Sequence, residues 1–296
     1  MDITARDPDP TTSRFLDACV ELGLPEVTGG LGGADNTGCA ITPLNQRDSS
    51  RWSAADGYVR AARERENLRI LTGVQVHRVL LRGGRATGSA SRTGGSWRPG
   101  ARWSCAGTVG SPQLLQLSGI GAPEELRRAG IRPLAELPGV GRNLQDHLTL
   151  PVTMAATVPL PLVNADTPDN RKLYDTERIG PLTSNITEAV AFFHSDGGIR
   201  APDLELIWAP VAFTDQNPLG AHAFALSIVL LQPHSRGRIT LTGPDPASPP
   251  AIDPAYLEAG PDLPTFAAGC ASASASSRPR RCSRWSRARW RPGPAA

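Results

Sequence analysis

Asp146-His147 is a polar, ionisable pair in a loop of this 296-residue chain. The flanking Asn143-Leu144-Gln145 reads as loop, where polar residues often carry function; a locally hydrogen-bonded turn explains the same pair. Ser111 is a nucleophile by type, but no His or acid can be assigned to it, and Gly110-Ser111-Pro112 is not the spacing of a nucleophile elbow. It reads as a helix cap, with Pro112 at the first helical position. His77, His194, His222 and His234 lack partners at ligand spacing and read as surface or satisfied histidines. Five scattered cysteines without a CxxC (Cys19, Cys39, Cys105, Cys270, Cys282) read as reduced thiols. Spacing alone assigns no catalytic residue and no metal ligand.

The elements that would position these groups follow from periodicity. Ser13 to Leu24 reads as an amphipathic helix with Phe15, Leu16, Cys19, Val20 and Leu24 inward. Ser53 can cap a second helix through about Arg65, carrying Tyr58 and Val59 inward. Leu68 to Leu81 reads as two strands broken at Thr72-Gly73 and turned again at Gly83-Gly84. Gly88 to Trp103 shows no usable period. Ser111-Pro112 is expected to start a helix through Leu117. Pro123 starts a second, with Glu124 and Glu125 at its positive end, Arg127 and Arg128 at its negative end, and Gly130 closing it. Gly29 to Gly33 is glycine-rich, but no apolar strand precedes it, so it reads as a loop.

Past residue 151 the pattern changes to strands between proline-rich turns: Ala189 to Phe193, Leu204 to Phe213, Phe224 to Leu231 and Arg238 to Leu241. A mostly antiparallel sheet is expected there. The 28 prolines, about twice the usual share, fit a loop-rich chain. Net charge is +3, but seven arginines and no acid follow Cys270, so the rest of the chain is net acidic. That tail could imitate a basic nucleic-acid arm; its abrupt onset reads as translated noise. No run approaches the roughly 18 apolar residues of a membrane span, and the polar start, Met1 to Thr12, lacks the apolar core of a secretion signal. A cytoplasmic location is expected.

The run Gly107-Thr108-Val109-Gly110-Ser111-Pro112-Gln113-Leu114-Leu115-Gln116-Leu117-Ser118-Gly119-Ile120-Gly121 resembles the second signature of the glucose–methanol–choline (GMC) oxidoreductases. Leu137 to Leu148 resembles the segment that follows it in that family, and Asn67 to Leu80 its adenine-contacting strand. Ser235 to Ile239 with Asp253 to Leu257 resembles its substrate-domain sheet. The choline-dehydrogenase-like branch fits best. The resemblance implies a fold that is α/β plus α+β: a partial, Rossmann-like FAD-binding domain with an antiparallel substrate-domain sheet. It also implies FAD as cofactor and oxidation of a small-molecule alcohol by hydride transfer to the flavin. Domains are expected at 1–150 (FAD side with interdomain segments), 151–266 (substrate side) and 267–296 (a disordered, arginine-rich tail).

By the same resemblance Val76, Ala106, Gly107, Asp146 and His147 are the cofactor-binding candidates. An inward strand valine would equally explain Val76, and a close helix–strand crossing would explain Ala106-Gly107. The family's opening strand–GxGxxG–helix and its HPxGT-like and NPN-like stretches are not found in the sequence. The chain is therefore expected to be truncated at both ends, with a frameshift near codon 270 and an out-of-frame patch over 89–104, and to be inactive and poorly soluble by itself. The alternative is a non-catalytic remnant or interaction module. No specific nucleic-acid partner is expected, and the oligomeric state is not legible.

Overall fold

A computed structural model describes residues 8–28, 30–91, 96–97, 105–212 and 222–276. In chain order the elements begin with α1 (Thr12–Glu21), β1 (Gly38–Ile41), β2 (Gln46–Arg47), β3 (Ser50–Arg51), and a π-helical turn at Ala55–Val59 running into α2 (Arg60–Ala62). There follow β4 (Val76–Arg82), β5 (Arg85–Ser91), β6 (Ser96–Trp97), α3 (Gly107–Leu117), β7 (Ile120–Gly121), α4 (Pro123–Arg128), β8 (Ala135–Glu136) and β9 (Arg142–Leu144). The chain continues with β10 (Thr149–Ala155), α5 (Pro168–Glu177), β11 (Ala189–Phe193), β12 (Leu204–Ala209), β13 (Ala223–Leu230), β14 (Gly237–Thr240), β15 (Ala251–Asp253) and α6 (Asp262–Ser276). By compactness it divides into two interleaved units. One takes residues 1–64, 147–232 and 261–296, the other 65–146 and 233–260.

The first unit is built on a five-stranded antiparallel sheet in the order β1-β11-β12-β13-β10. Alternation explains its inner face: Leu204, Leu206 and Trp208 on β12 meet Leu226, Ile228 and Leu230 on β13, with Ala189, Ala191 and Phe193 on β11. Phe15, Leu16 and Cys19 of α1 and Phe266 and Ala273 of α6 complete that core. Trp208 lies between Phe15, stacked at 5.6 Å, and Phe224, tilted at 4.8 Å. Helix α1 stops at Glu21 because Gly23 turns left-handed at φ 89°.

Helix α6 continues through Ser276, so residues 267–276 are helical and Ala273 is buried. The sequence offered little apolar bulk there, but small residues allow close approach. A Cβ on Gly269 would lie 2.8 Å from Ile228 Cγ2 and 2.9 Å from Leu204 Cδ2. Residues 277–296, with all seven tail arginines, lie outside the described residues.

The second unit holds the meander β4-β5-β6, the sheet β15-β14-β9 and the two-residue parallel pair β7-β8. Gly83-Gly84, at φ 56° and 73°, makes the tight β4–β5 turn. Helix α3 packs on β4 and β14. Helix α4 spans Pro123 to Arg128 and is closed by Gly130 at φ 74°, as its end signals predict.

Three sequence expectations fail locally. Helix α3 begins at Gly107, so Ser111 and Pro112 lie inside it. Leu68, Ile70 and Leu71 form no strand and stand exposed, because among the described residues no neighbouring strand takes up their backbone groups. Tyr58 and Val59 are exposed on the π-helical turn rather than inward. The Gly88–Trp103 stretch, unreadable by period, contributes β5 and β6; residues 92–95 and 98–104 lie outside the described ones.

Candidate functional site

The start of α3 carries an unobstructed glycine. Gly107 has φ 75°, and a Cβ built there would meet nothing within 4 Å. Glycine is required there by the dihedral and not by crowding. Ala106 donates its N–H to Ser111 Oγ at 3.2 Å, which satisfies one amide next to the helix start. Ser111 is thus not the first cap, but a side chain folded back onto the helix start. The first helical amides form the positive end of a helix dipole, suited to an anionic or carbonyl group that approaches the backbone closely.

The far end of α3 is pinned to β4. Ser118 Oγ donates to the Leu114 carbonyl at 2.6 Å and accepts the Val79 N–H at 2.8 Å. Val76, three residues earlier, is the first residue of β4 and is 41% exposed. It is therefore not the inward strand valine that periodicity allowed.

Asp146 follows β9 and accepts a hydrogen bond from the phenol of Tyr256, which follows β15. That bond, the burial of the phenol and the nearby negative charge all raise the Tyr256 pKa, so the phenol stays protonated and donating. Sequence reasoning missed Tyr256, because 110 positions separate it from its partner. The boundary between the units falls directly after Asp146. His147 belongs to the sheet unit, where its carbonyl accepts from Thr149 Oγ1 at 3.5 Å. The structure thus places Ala106 and Gly107 side by side at a helix start, Val76 on the strand that α3 packs against, Asp146 on Tyr256, and His147 at the head of β10.

The remaining histidines divide. His222 Nδ1 accepts the Leu160 N–H at 2.9 Å. The Nε2 atoms of His77 and His194 are buried with no hydrogen-bond partner among the described residues, so these two are not satisfied as the sequence suggested. Glu205 is a second miss. Burial alone raises its carboxyl pKa; the signal was a lone acid inside the apolar run Leu204-Glu205-Leu206-Ile207-Trp208.

These residues fit part of a dinucleotide site. The unobstructed Gly107 and the exposed Val76 suit backbone contact with a cofactor. Among the described residues, however, no parallel strand feeds a glycine turn and helix of the kind that grips a pyrophosphate.

Comparison with known proteins bears on the same segments. Residues 1–149 match the family described as GMC oxidoreductase. An uncharacterised GMC-type oxidoreductase of Mycobacterium tuberculosis is 38% identical over 258 residues, 85% of this chain and 48% of that protein. An oxygen-dependent choline dehydrogenase of Vibrio vulnificus is 33% identical over 259 residues, 84% of this chain and 46% of that protein. The crystal structure of pyridoxine 4-oxidase from Mesorbium loti superposes with a TM-score of 0.85 at 29% identity, covering 99% of this chain and 56% of that one. The chain thus spans about half the length of the curated relatives it matches. The fold is mixed, helices and antiparallel sheets consistent with a partial FAD-binding domain of GMC flavoenzymes. With the signature helix, its glycine start and the antiparallel sheet in place, the chain belongs to the GMC oxidoreductase family.

Proposed function

We propose that this chain is part of an FAD-dependent oxidoreductase acting on a small alcohol, in which Ala106, Gly107 and Val76 hold the cofactor through the backbone. FAD is the cofactor of the GMC family. The chemistry it supplies when bound is acceptance of a hydride from the alcohol carbon. The observation that carries the reading is Gly107, left-handed and unobstructed inside the family's signature segment. Asp146 and Tyr256 then act as an oriented pair: the carboxylate keeps the phenol protonated, and the phenol fixes the carboxylate.

On this reading the expected cofactor side, residues 1–150, and substrate side, residues 151–266, do not coincide with the compact units: residues 1–64, with β1, group with the five-stranded sheet, and residues 233–260 group with residues 65–146. The choline dehydrogenase relative supports an amino alcohol as substrate. No residue here is assigned the base that takes the alcohol proton. Such a base must lie within hydrogen-bond reach of the hydroxyl, and these 296 residues hold neither an HPxGT-like nor an NPN-like stretch. By themselves they bind without turning over. A cytoplasmic location belongs to the same proposal; among the described residues, no helix is long and apolar enough to cross a membrane.

The test is to purify the 296-residue chain, add FAD, and record flavin absorbance after desalting together with alcohol-dependent dye reduction. Retained flavin with no dye reduction is the expected result. A colourless protein that shifts DNA in a salt-sensitive way overturns the proposal.

A further inference from the structure

The second unit holds a pocket of about 280 Å³ between α4 and β14. That volume lies just under the usual range for small-molecule sites, so an occupant must be small. Leu126 and Leu241 line it as an apolar wall; Glu125, Arg128, Arg238 and Thr240 are its polar lining. Alternation along β14 buries Gly237 and Ile239 on one face and leaves Arg238 and Thr240 on the other, which the pocket uses. Helix α3 reaches the pocket at Gln116, which lies about 13 Å along the helix from Gly107. The pocket is therefore separate from the proposed cofactor contacts at the start of that helix.

Most of the charge around this pocket is already answered. Arg142 on β9 bonds the carboxylate of Glu125. Arg238 lies 3.5 Å from the carboxylate of Asp253, its register partner on β15. Arg127 pairs with Glu124 at 2.8 Å and does not line the pocket. Arg128 is left over: among the described residues its side chain makes no hydrogen bond and no ion pair. The Thr240 hydroxyl also bonds nothing among those residues, whereas the Thr242 hydroxyl donates to the Pro249 carbonyl at 2.9 Å. Helix polarity favours a cation in the last turn of α4, and Arg127 already supplies one. A free guanidinium and a free hydroxyl on one pocket are donors that lack an acceptor.

We propose that this pocket binds a small organic anion, whose carboxylate or phosphoryl group is held by Arg128 and the Thr240 hydroxyl. Arginine suits both groups, because its fork of N–H donors matches their paired oxygens. Arg238 adds positive charge from the sheet side, and Glu125 opposes the ligand little because Arg142 neutralises it. Leu126 and Leu241, which pack together beneath α4, give the carbon part of such a ligand a surface. The inference does not rest on the flavin reading, since none of these residues is a proposed cofactor contact.

The experiment titrates the purified chain in low-salt buffer with succinate and with glycerol phosphate, taking glycerol as the neutral control, and follows heat and amide shifts. At least one anion is expected to saturate below about 10 mM, with shifts at Arg128, Thr240 and Leu241, while glycerol shifts none of them. The tighter of the two anions tells a carboxylate ligand from a phosphoryl one. Arg128→Gln is expected to weaken that anion about tenfold or more, and Thr240→Val severalfold, with both variants melting as the wild type does. Arg127→Gln removes the same charge one residue away and is expected to leave the affinity within about twofold. Saturation by neither anion, shifts confined to other residues, or equal losses in Arg127→Gln and Arg128→Gln overturns the inference.

Discussion

The phenol of Tyr256 donates to the carboxylate of Asp146 and so joins the two outer strands of the β15-β14-β9 sheet just past their ends. Neither residue is deeply buried, so the bond orients more than it stabilises. Tyr256→Phe is expected to lower stability by only about 0.5–1 kcal/mol. Asp146→Asn is expected to bring the Tyr256 phenol back down toward its ordinary pKa, because the raising charge is gone. Ultraviolet difference titration of the wild type and the Asn variant, with Tyr256→Phe to assign the signal, checks this. An unchanged titration would dissolve the pair.

Glu205 sets a pH dependence of defined sign. Its folded-state pKa lies above the ordinary carboxylate value, so folding takes up a proton between the two. The stability held by the neutral form is complete below the unfolded pKa and is lost as pH rises through the folded one. Glu205→Gln should therefore raise the melting temperature at neutral pH and leave it unchanged below the carboxylate range. The gain is about 0.5 kcal/mol, because the group is partly open to solvent and screened. Thermal melts of both proteins across pH check it, and a gain at acid pH instead would reverse the assigned sign.

Gly269 tests whether the chain beyond the expected break belongs to the fold. Its Cβ would press on Leu204 and Ile228 in the sheet core. Gly269→Val is expected to lose about 1–3 kcal/mol through overpacking, despite removing a helical glycine. Denaturant unfolding measures it; a neutral or stabilising result would mean that α6 does not press on the sheet there.

Gly107 and its left-handed backbone predict a residue-specific tolerance. Gly107→Ala is expected to cost about 1 kcal/mol from the dihedral alone, and Gly107→Asn less, since asparagine accepts this region more readily. Equal losses for the two, read from thermal melts, would contradict the strain argument.

Much of this was legible wherever a local pattern decides the structure. Helix α4 carries its own start, charges and stop within Pro123 to Gly130, and strands β11, β12 and β13 announce themselves as apolar runs between turns. The signature segment pointed to a helix ending at Leu117, which α3 is. What escaped was decided at a distance. Helix α3 starts four residues before its Ser-Pro signal because Gly107 takes a conformation that spacing does not reveal. Strand β1 owes its place to β11, about 150 residues away. Helix α6 passes Gly269 on small size rather than apolar bulk. Tyr256 and Glu205 matter through what they face, or fail to face, and only the register of the sheets shows that.

In the proposed cofactor site the start of α3 and the exposed head of β4 meet the flavin dinucleotide. Amide chemical shifts of the isotopically labelled 296-residue chain, recorded during titration with FAD, measure this residue by residue. Saturable shifts are expected at Ala106, Gly107 and Val76, suppressed in Gly107→Val. FAD that leaves those three amides unmoved, or that shifts only residues elsewhere, would contradict that site.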